Sequence, residues 1–271
     1  MLRLEPPGYL RLVQADSLNL TYAGAEANVA VALANFGVKS YFVTKLPENP
    51  LGQAAANHVR RFGVDTSHIQ WGGDRIGVFF TENGASQRAP LVLYDRANSA
   101  ISGVKPGEIP WQEILNGKDW FHFTGITPAL GNGPAETTLE GARIAKEMGL
   151  TVSCDLNFRS KLWTPEMAGR AMSKLMEFVD VAIGISAEEA EKIFGIESNG
   201  NLTGYGQVAY RLVERFNLKY LAITLRKSYS ASDNGWSAIL FDGKEAYQSR
   251  EYKIHVVDRI GTGDSFSGSL I

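Results

Sequence analysis

The 271-residue sequence predicts an α/β domain with a mostly parallel central sheet, helices on both faces and a small β lid. Three observations carry that prediction. From Asp119 onward, apolar β-prone runs alternate with helical segments, the order that lays strands parallel and joins them by helical crossovers. Between Arg75 and Arg96 the pattern changes to two strand-like runs joined by a turn-rich stretch, which reads as an antiparallel excursion. No repeat, low-complexity tract or linker divides the chain, so residues 1–271 read as a single domain.

Taken in order, Met1–Leu4 reads as the end of a strand and residues 9–22 as irregular strand. Gly24-Ala25-Glu26-Ala27-Asn28 opens a helix of small residues that runs to Phe36 and closes at Gly37, a C′ glycine. Small side chains permit close packing. Val38–Thr44 reads as a strand and Gly52–Phe62 as a helix ended by Gly63. Ile76–Glu82 and Ala89–Asp95 form the lid with residues 9–22, so the lid spans about 9–22 and 75–96. Strands follow at 120–123, 150–154, 179–184 and 220–225, with helices at 134–148, 165–178, 187–194 and 207–216 between them. More β follows over 228–247, with a turn at Asp233-Asn234-Gly235. Seven residues follow Asp264, fewer than an isolated helix needs, so this helix is held by tertiary contacts or the native chain continues. Both ends read as trimmed.

Composition narrows the function classes. A formal net charge of −2 provides no electrostatic footprint for nucleic acid or an anionic membrane, so any phosphate must be held by local loops and single arginines. Cys154 is the only cysteine, which excludes an intrachain disulfide or a Cys-based zinc site and favours a reducing, cytoplasmic compartment. The sequence carries no signal peptide, no apolar run near ~18 residues and no lipidation motif, so no membrane attachment is expected.

Open α/β sheets bind ligands at the carboxyl ends of their strands. That rule gathers Asp155, Asn157 and Arg159, then Ser186 and Glu189, then Arg226, and finally Asp258 through Asp264. Gly261-Thr262-Gly263-Asp264 between a strand and a helix presents successive backbone N–H groups at the positive end of a dipole, suited to an anion. By itself it fits an ordinary turn with a helix-start aspartate equally well. Ser186-Ala187-Glu188-Glu189 is a capping box, which explains Ser186 and Glu189 without function; the alternative is a water-mediated link from Glu189 to a Mg²⁺–phosphate assembly. Arg96 follows Tyr94-Asp95 and suits bidentate capture of a carboxylate or phosphate, or else pairs with Asp95 at the surface. His122 in an apolar strand reads as a satisfied core histidine. No P-loop and no protein-kinase motif set is present.

Asp258-Arg259-Ile260-Gly261-Thr262-Gly263-Asp264 resembles the C-terminal signature of the ribokinase-like (PfkB) sugar kinases, Asp-Thr-x-Gly-Ala-Gly-Asp in general form. Gly24–Ala30 and Leu33–Gly37 are similar to the N-terminal signature of that family. Tyr94-Asp95-Arg96, Asp155-Leu156-Asn157-Phe158-Arg159 and Thr224-Leu225-Arg226-Lys227 are most similar to its 2-keto-3-deoxygluconate kinases. The resemblance spans essentially the whole chain and implies a ribokinase-like fold. It implies Asp264 as general base and the N–H groups of Gly261, Thr262 and Gly263 as the anion hole for the transferred phosphoryl group. Arg96 and Arg159 would hold an acid sugar's carboxylate, with Gly24, Asn28, Phe79, Tyr94 and Asn157 around the sugar. Ser186, Glu189, Thr224 and Arg226, with Gly261 and Gly263, would serve the nucleotide. The donor would be ATP, with Mg²⁺ bound through its phosphates rather than by direct protein ligands, and the lid would make a homodimer or larger assembly. Ser186 stands where many relatives carry Asn, a departure that bears on the Mg²⁺-linked role of Glu189; Arg259 and Ile260 replace two hydroxyl residues, so no monovalent-cation site carries over. Relatives also begin with a further strand and continue past Asp264. Two cationic side chains argue for an acid sugar over fructose or ribose. A sugar-binding module without turnover is the alternative from a different class.

Overall fold

The structure, a computed structural model, describes residues 1–197 and 202–271. The chain divides into two compact units: Met1–Val104, Arg226–Trp236 and Tyr252–Ile271 form the first, and Lys105–Leu225 with Ser237–Glu251 the second.

The first unit begins with β1 (Leu2–Glu5), β2 (Asn19–Tyr22) and α1 (Ala25–Asn35). It continues through β3 (Lys45–Leu46), α2 (Pro50–Arg60), β4 (Gln70–Trp71), β5 (Val78–Glu82) and β6 (Leu91–Asp95). The predicted lid strands are present, but they share a four-stranded sheet with β1, in the order β2-β1-β5-β6. β1 pairs antiparallel with β2 and parallel with β5, and β5 pairs antiparallel with β6. Arg3, Phe79 and Tyr94 align across this sheet on one face; Leu20, Leu4, Phe80 and Leu93 align on the other. A period of two along each strand makes these rows opposite in kind. Phe79 is buried on the first face, whereas Leu20 and Leu93 remain 53% and 46% exposed on the second.

The sequence predicts a strand over 38–44, but the structure has only an isolated bridge there, at Tyr41, and β3 begins at Lys45. The partner segment turns at Asp65–Ile69, where Ser67 N–H reaches the Asp65 carboxylate and Ile69 N–H reaches Thr66 C=O. Pairing is therefore split into a bridge at Tyr41 and Asp65 and the two-residue parallel pair β3–β4. α2 starts earlier than the apolar pattern suggests, because Asn49 caps it with both Leu51 and Gly52 N–H groups and Pro50 fits its first turn.

The second unit holds α3 (Trp111–Leu115), β7 (Trp120–Thr124), α4 (Asn132–Glu147), β8 (Thr151–Asp155), α5 (Pro165–Met176) and β9 (Val181–Ile183). It continues with α6 (Ala187–Phe194) and α7 (Leu202–Phe216). β10 (Tyr220–Ser228) and β11 (Asp233–Phe241) follow, each lying partly in this unit, and then β12 (Ala246–Gln248). β7, β8, β9 and β10 run parallel in adjacent positions, as the alternating sequence predicts, and β11 pairs antiparallel with β12. Val152, Ala182, Leu221 and Ala222 are fully buried, so the near-continuous apolar runs of these strands reflect burial on both faces.

The predicted turn at Asp233-Asn234-Gly235 is corrected. Those residues are strand, and the chain reverses at 229–232. The Ser230 hydroxyl accepts the N–H groups of Ser232 and Asp233 and closes that bend, so the serine makes the turn and Asn234 is buried within β11. The first unit closes with β13 (Tyr252–His255), paired to the first half of β11, and α8 (Thr262–Leu270). α8 packs closely on α1: a Cβ at Gly268 would sit 2.8 Å from the Ala32 Cβ. Tertiary packing on small residues thus holds a nine-residue helix that propensity alone would not.

Candidate active site

In the first unit the segment after β13 turns at Gly261, whose φ of +88° is left-handed and favours glycine, and α8 begins. No side chain caps this helix, and the first intrahelical bond runs from Ser265 N–H to Gly261 C=O at 2.8 Å. The N–H groups of Thr262 and Gly263 therefore lie in the unsatisfied first turn, at the positive end of the dipole. Asp264 stands in that turn and is 9% exposed. Asn28, one turn into α1, donates from Nδ2 to Asp264 Oδ2 at 2.6 Å, which joins the two sequence signatures directly. The Asn28 backbone N–H in turn reaches Gly24 C=O at 2.7 Å. Gly24, Asn28, Gly261 and Ser265 line one cavity of about 470 Å³, a size ordinary for a small-molecule site.

Phe79 and Tyr94 are register partners on β5 and β6, with ring centroids 6.1 Å apart. Arg96 is buried, and its guanidinium lies 4.2 Å from the Tyr94 ring centroid. The Asp95 carboxylate is held by Arg75 at 2.8 Å. Arg226 donates to Ser228 Oγ at 3.1 Å from both Nε and Nη2. Burial and then the nearby Arg259 lower its pKa, so two guanidinium groups share a region where a polyanion would relieve both. Arg259 itself donates to Ala231 C=O at 2.8 Å.

The remaining predicted residues belong to the second unit. Asp155 ends β8 and accepts the Asn157 N–H at 3.0 Å, while Asn157 holds a φ of +40°. A Cβ at Gly184 would meet the Asp155 carboxylate at 2.8 Å, so the neighbouring strand end must be glycine for that side chain to fit. Arg159 donates to Phe158 C=O at 3.3 Å. Ser186 and Glu189 form a complete capping box, with Ser186 Oγ accepting Glu189 N–H at 3.1 Å and Glu189 Oε2 accepting Ser186 N–H at 2.9 Å. Thr224 is an intermediate-burial residue within β10. His122 meets Ser153 Oγ at 2.8 Å through Nδ1, but Nε2 is buried without a hydrogen bond, so the histidine is only half satisfied. Burial lowers its pKa to about 4 and keeps it neutral. Among the described residues, no group of three or more acidic, His or Cys side chains gathers to hold a metal ion, and no helix is long and apolar enough to cross a membrane.

Sequence reasoning missed two contacts. One is the Asn28–Asp264 bond, which links positions 236 apart. The other is Arg3, whose guanidinium grips Asp258 at 2.6 Å. A charged residue alternating with Leu2 and Leu4 on a buried strand was its available signal.

Residues 3–271 match the sequence pattern of the pfkB family carbohydrate kinases. The chain is 35% identical over 272 residues to a 2-dehydro-3-deoxygalactonokinase of Haloferax volcanii, covering all of this chain and 80% of that protein. It is 29% identical to fructokinase-1 of Oryza sativa subsp. japonica, over 96% of this chain and 76% of that one. The crystal structure of a 2-dehydro-3-deoxygluconokinase from Thermotoga maritima is 51% identical, with a TM-score of 0.97, over all of this chain and 83% of that one.

Proposed function

This chain belongs to the pfkB family of carbohydrate kinases, and we propose that it transfers the γ-phosphoryl group of MgATP to a hydroxyl of 2-keto-3-deoxygluconate. The observation that carries the catalytic half is the buried Asp264 at the mouth of an uncapped, glycine-started helix. Asp264 removes the proton as the sugar oxygen forms its bond to the γ-phosphorus. The bond from that phosphorus to the β-phosphate oxygen breaks, and its electrons leave with ADP. The N–H groups of Gly261, Thr262 and Gly263 face the negative charge on the transferred group, and such preorganised donors are worth roughly 100–1,000-fold each in rate. Asn28 holds Asp264 in one orientation. Gly24, Phe79 and Tyr94 line the sugar, with Asn157 assigned to it by resemblance. Thr224 and Arg226 serve the nucleotide phosphates. Mg²⁺ enters on those phosphates, and Glu189 acts first as the helix cap that it already forms.

The substrate half rests on Arg96 and on relatives named for acid-sugar kinases. Buried and stacked on Tyr94, Arg96 is suited to a carboxylate, as is Arg159, which resemblance assigns to the same group. A coupled assay over 2-keto-3-deoxygluconate, fructose and ribose tests this. For Arg96→Ala, kcat/KM should fall about 10–150-fold for the acid sugar alone, the range of a charged hydrogen bond. Equal losses on all three sugars would remove the acid-sugar assignment.

We also propose a homodimer through the outer face of the four-stranded sheet. The row Leu20, Leu4, Phe80 and Leu93 supports it, since exposed apolar rows of this kind mark interfaces. Sedimentation as a monomer at assay concentration would refute it. The enzyme is assigned to the cytoplasm, on its single, buried cysteine.

A further inference from the structure

We infer that Arg3 is a positioning residue for phosphoryl transfer, tying the inner face of the four-stranded sheet to the loop that carries Gly261 and Asp264. The inference rests on reading that loop as the anion-binding turn.

Arg3 lies in β1, between Thr21 on β2 and Phe79 on β5, and is 8% exposed. A charge so buried must be paired. Its Nη1 donates to Asp258 Oδ2 at 2.6 Å and its Nη2 to Asp258 Oδ1 at 3.2 Å. This two-pronged geometry fixes the orientation of a carboxylate as well as its distance. Nη2 also holds Glu5, and Nε reaches Thr81 Oγ1 at 3.4 Å. Those partners sit on the sheet, so the guanidinium is fixed there and Asp258 is brought to it. Asp258 Oδ1 also accepts the Ile260 N–H at 2.9 Å, so the same carboxylate shapes the turn into Gly261. Three residues past Gly261, Asp264 is held by Asn28. The loop is thereby pinned at both ends, by Arg3 at Asp258 and by Asn28 at Asp264.

Stability alone is a poor account of the contact. The Asp258 side chain is 47% exposed, and half-solvated ion pairs contribute little, whereas burying the guanidinium costs desolvation. Geometry is what the pair provides. Phe79 is on the same sheet face, and Arg3 lines the cavity that contains Gly24, Asn28 and Gly261. Arg3 therefore links the strand beside the sugar-side aromatic to the turn that faces the phosphoryl group.

The test compares Arg3→Met, Arg3→Lys, Asp258→Asn and the Arg3→Met/Asp258→Asn double variant, with Asp264→Asn as reference. Steady-state kinetics with 2-keto-3-deoxygluconate and MgATP are read beside amide hydrogen exchange over residues 259–263. Arg3→Met and Asp258→Asn should each lower kcat by about 10–100-fold, the scale of misplacement in an otherwise intact site, with sugar KM changed less than about threefold. The double variant should fall no further than the worse single, as two ends of one contact require, and exchange should quicken in all three. Arg3→Lys keeps the charge without the fork and should recover only part of kcat. Unchanged kcat in folded Arg3→Met, a loss in KM alone, or multiplying losses in the double variant would each overturn the inference. If Arg3→Met does not fold, Arg3→Lys and Asp258→Asn decide by the same kcat criterion. Near-normal turnover by Asp264→Asn would overturn the loop reading itself. Lost turnover there with full turnover in Arg3→Met would overturn only the role of Arg3.

Discussion

Two helices of this protein, α6 and α8, carry a carboxylate three residues past the cap, and they use it in opposite ways. At α6, Ser186 caps Glu189 N–H and Glu189 reaches back to Ser186 N–H, so the helix satisfies its own first turn. At α8 the cap is Gly261, no side chain closes the turn, and Asp264 is held by Asn28 from another helix. The first arrangement consumes donors and carboxylate locally. The second leaves N–H groups facing outward, with an acid fixed beside them by tertiary contact. A helix start can therefore serve as a structural cap or as a reaction site, and the cap residue and the acid's partner decide between them.

The largest test of that contrast is Asp264→Asn, which keeps the shape and removes the base. Turnover should fall at least ~100-fold while sugar affinity stays nearly constant, and retention of near-normal kcat would erase the distinction between the two helices. Gly261→Ala should come next. Its φ of +88° costs an L-residue about 1–2 kcal/mol, and the new Cβ would lie 3.3 Å from Asn28 Nδ2, crowding the group that holds Asp264. Both melting temperature and kcat should drop; loss of stability alone would mean that the turn does not shape the site. At α6 the expected balance is reversed. Ser186→Ala should cost stability of about 1 kcal/mol with turnover within about twofold. Glu189→Gln can keep the cap bond without the charge and should change either quantity least, so a tenfold fall in its kcat with unchanged stability would assign Glu189 to the metal–phosphate chemistry instead. The pH dependence of unfolding supplies a measure outside both helices. His122 has a folded pKa near 4 against an ordinary 6.5, so the unfolded chain binds its proton first and stability should fall as pH drops from about 6.5 to about 4. His122→Phe should flatten that window in a pH series of thermal melts.

Much of the parallel sheet was legible because its signals are local. Pro165 and Gly195 bracket α5 and α6, the apolar run at 150–154 overlaps β8 to within one residue at each end, and the run at 179–184 contains β9. The misreadings also have local causes. Asp233-Asn234-Gly235 has the composition of a turn, but pairing with β13 draws it into β11 while Ser230 closes the bend four residues from Asn234. The stretch 38–44 has β-prone residues, yet its partner turns away at Asp65. A strand needs a neighbour, and composition does not supply one.

By itself the sequence determined the chemistry available: a glycine turn with an aspartate, a small-residue helix opening on Gly24 and Asn28, and arginines placed after strands. Those follow from side-chain type and short spacing, which act within a few residues. Only the tertiary structure decided which groups meet. Asn28 reaches Asp264, Arg3 grips Asp258, Arg96 lies over Tyr94 while Asp95 goes to Arg75, and α8 stands because Gly268 admits Ala32. Hydrogen bonds and close packing depend on ångström-scale distances between segments far apart in the chain, and only the folded backbone sets those distances.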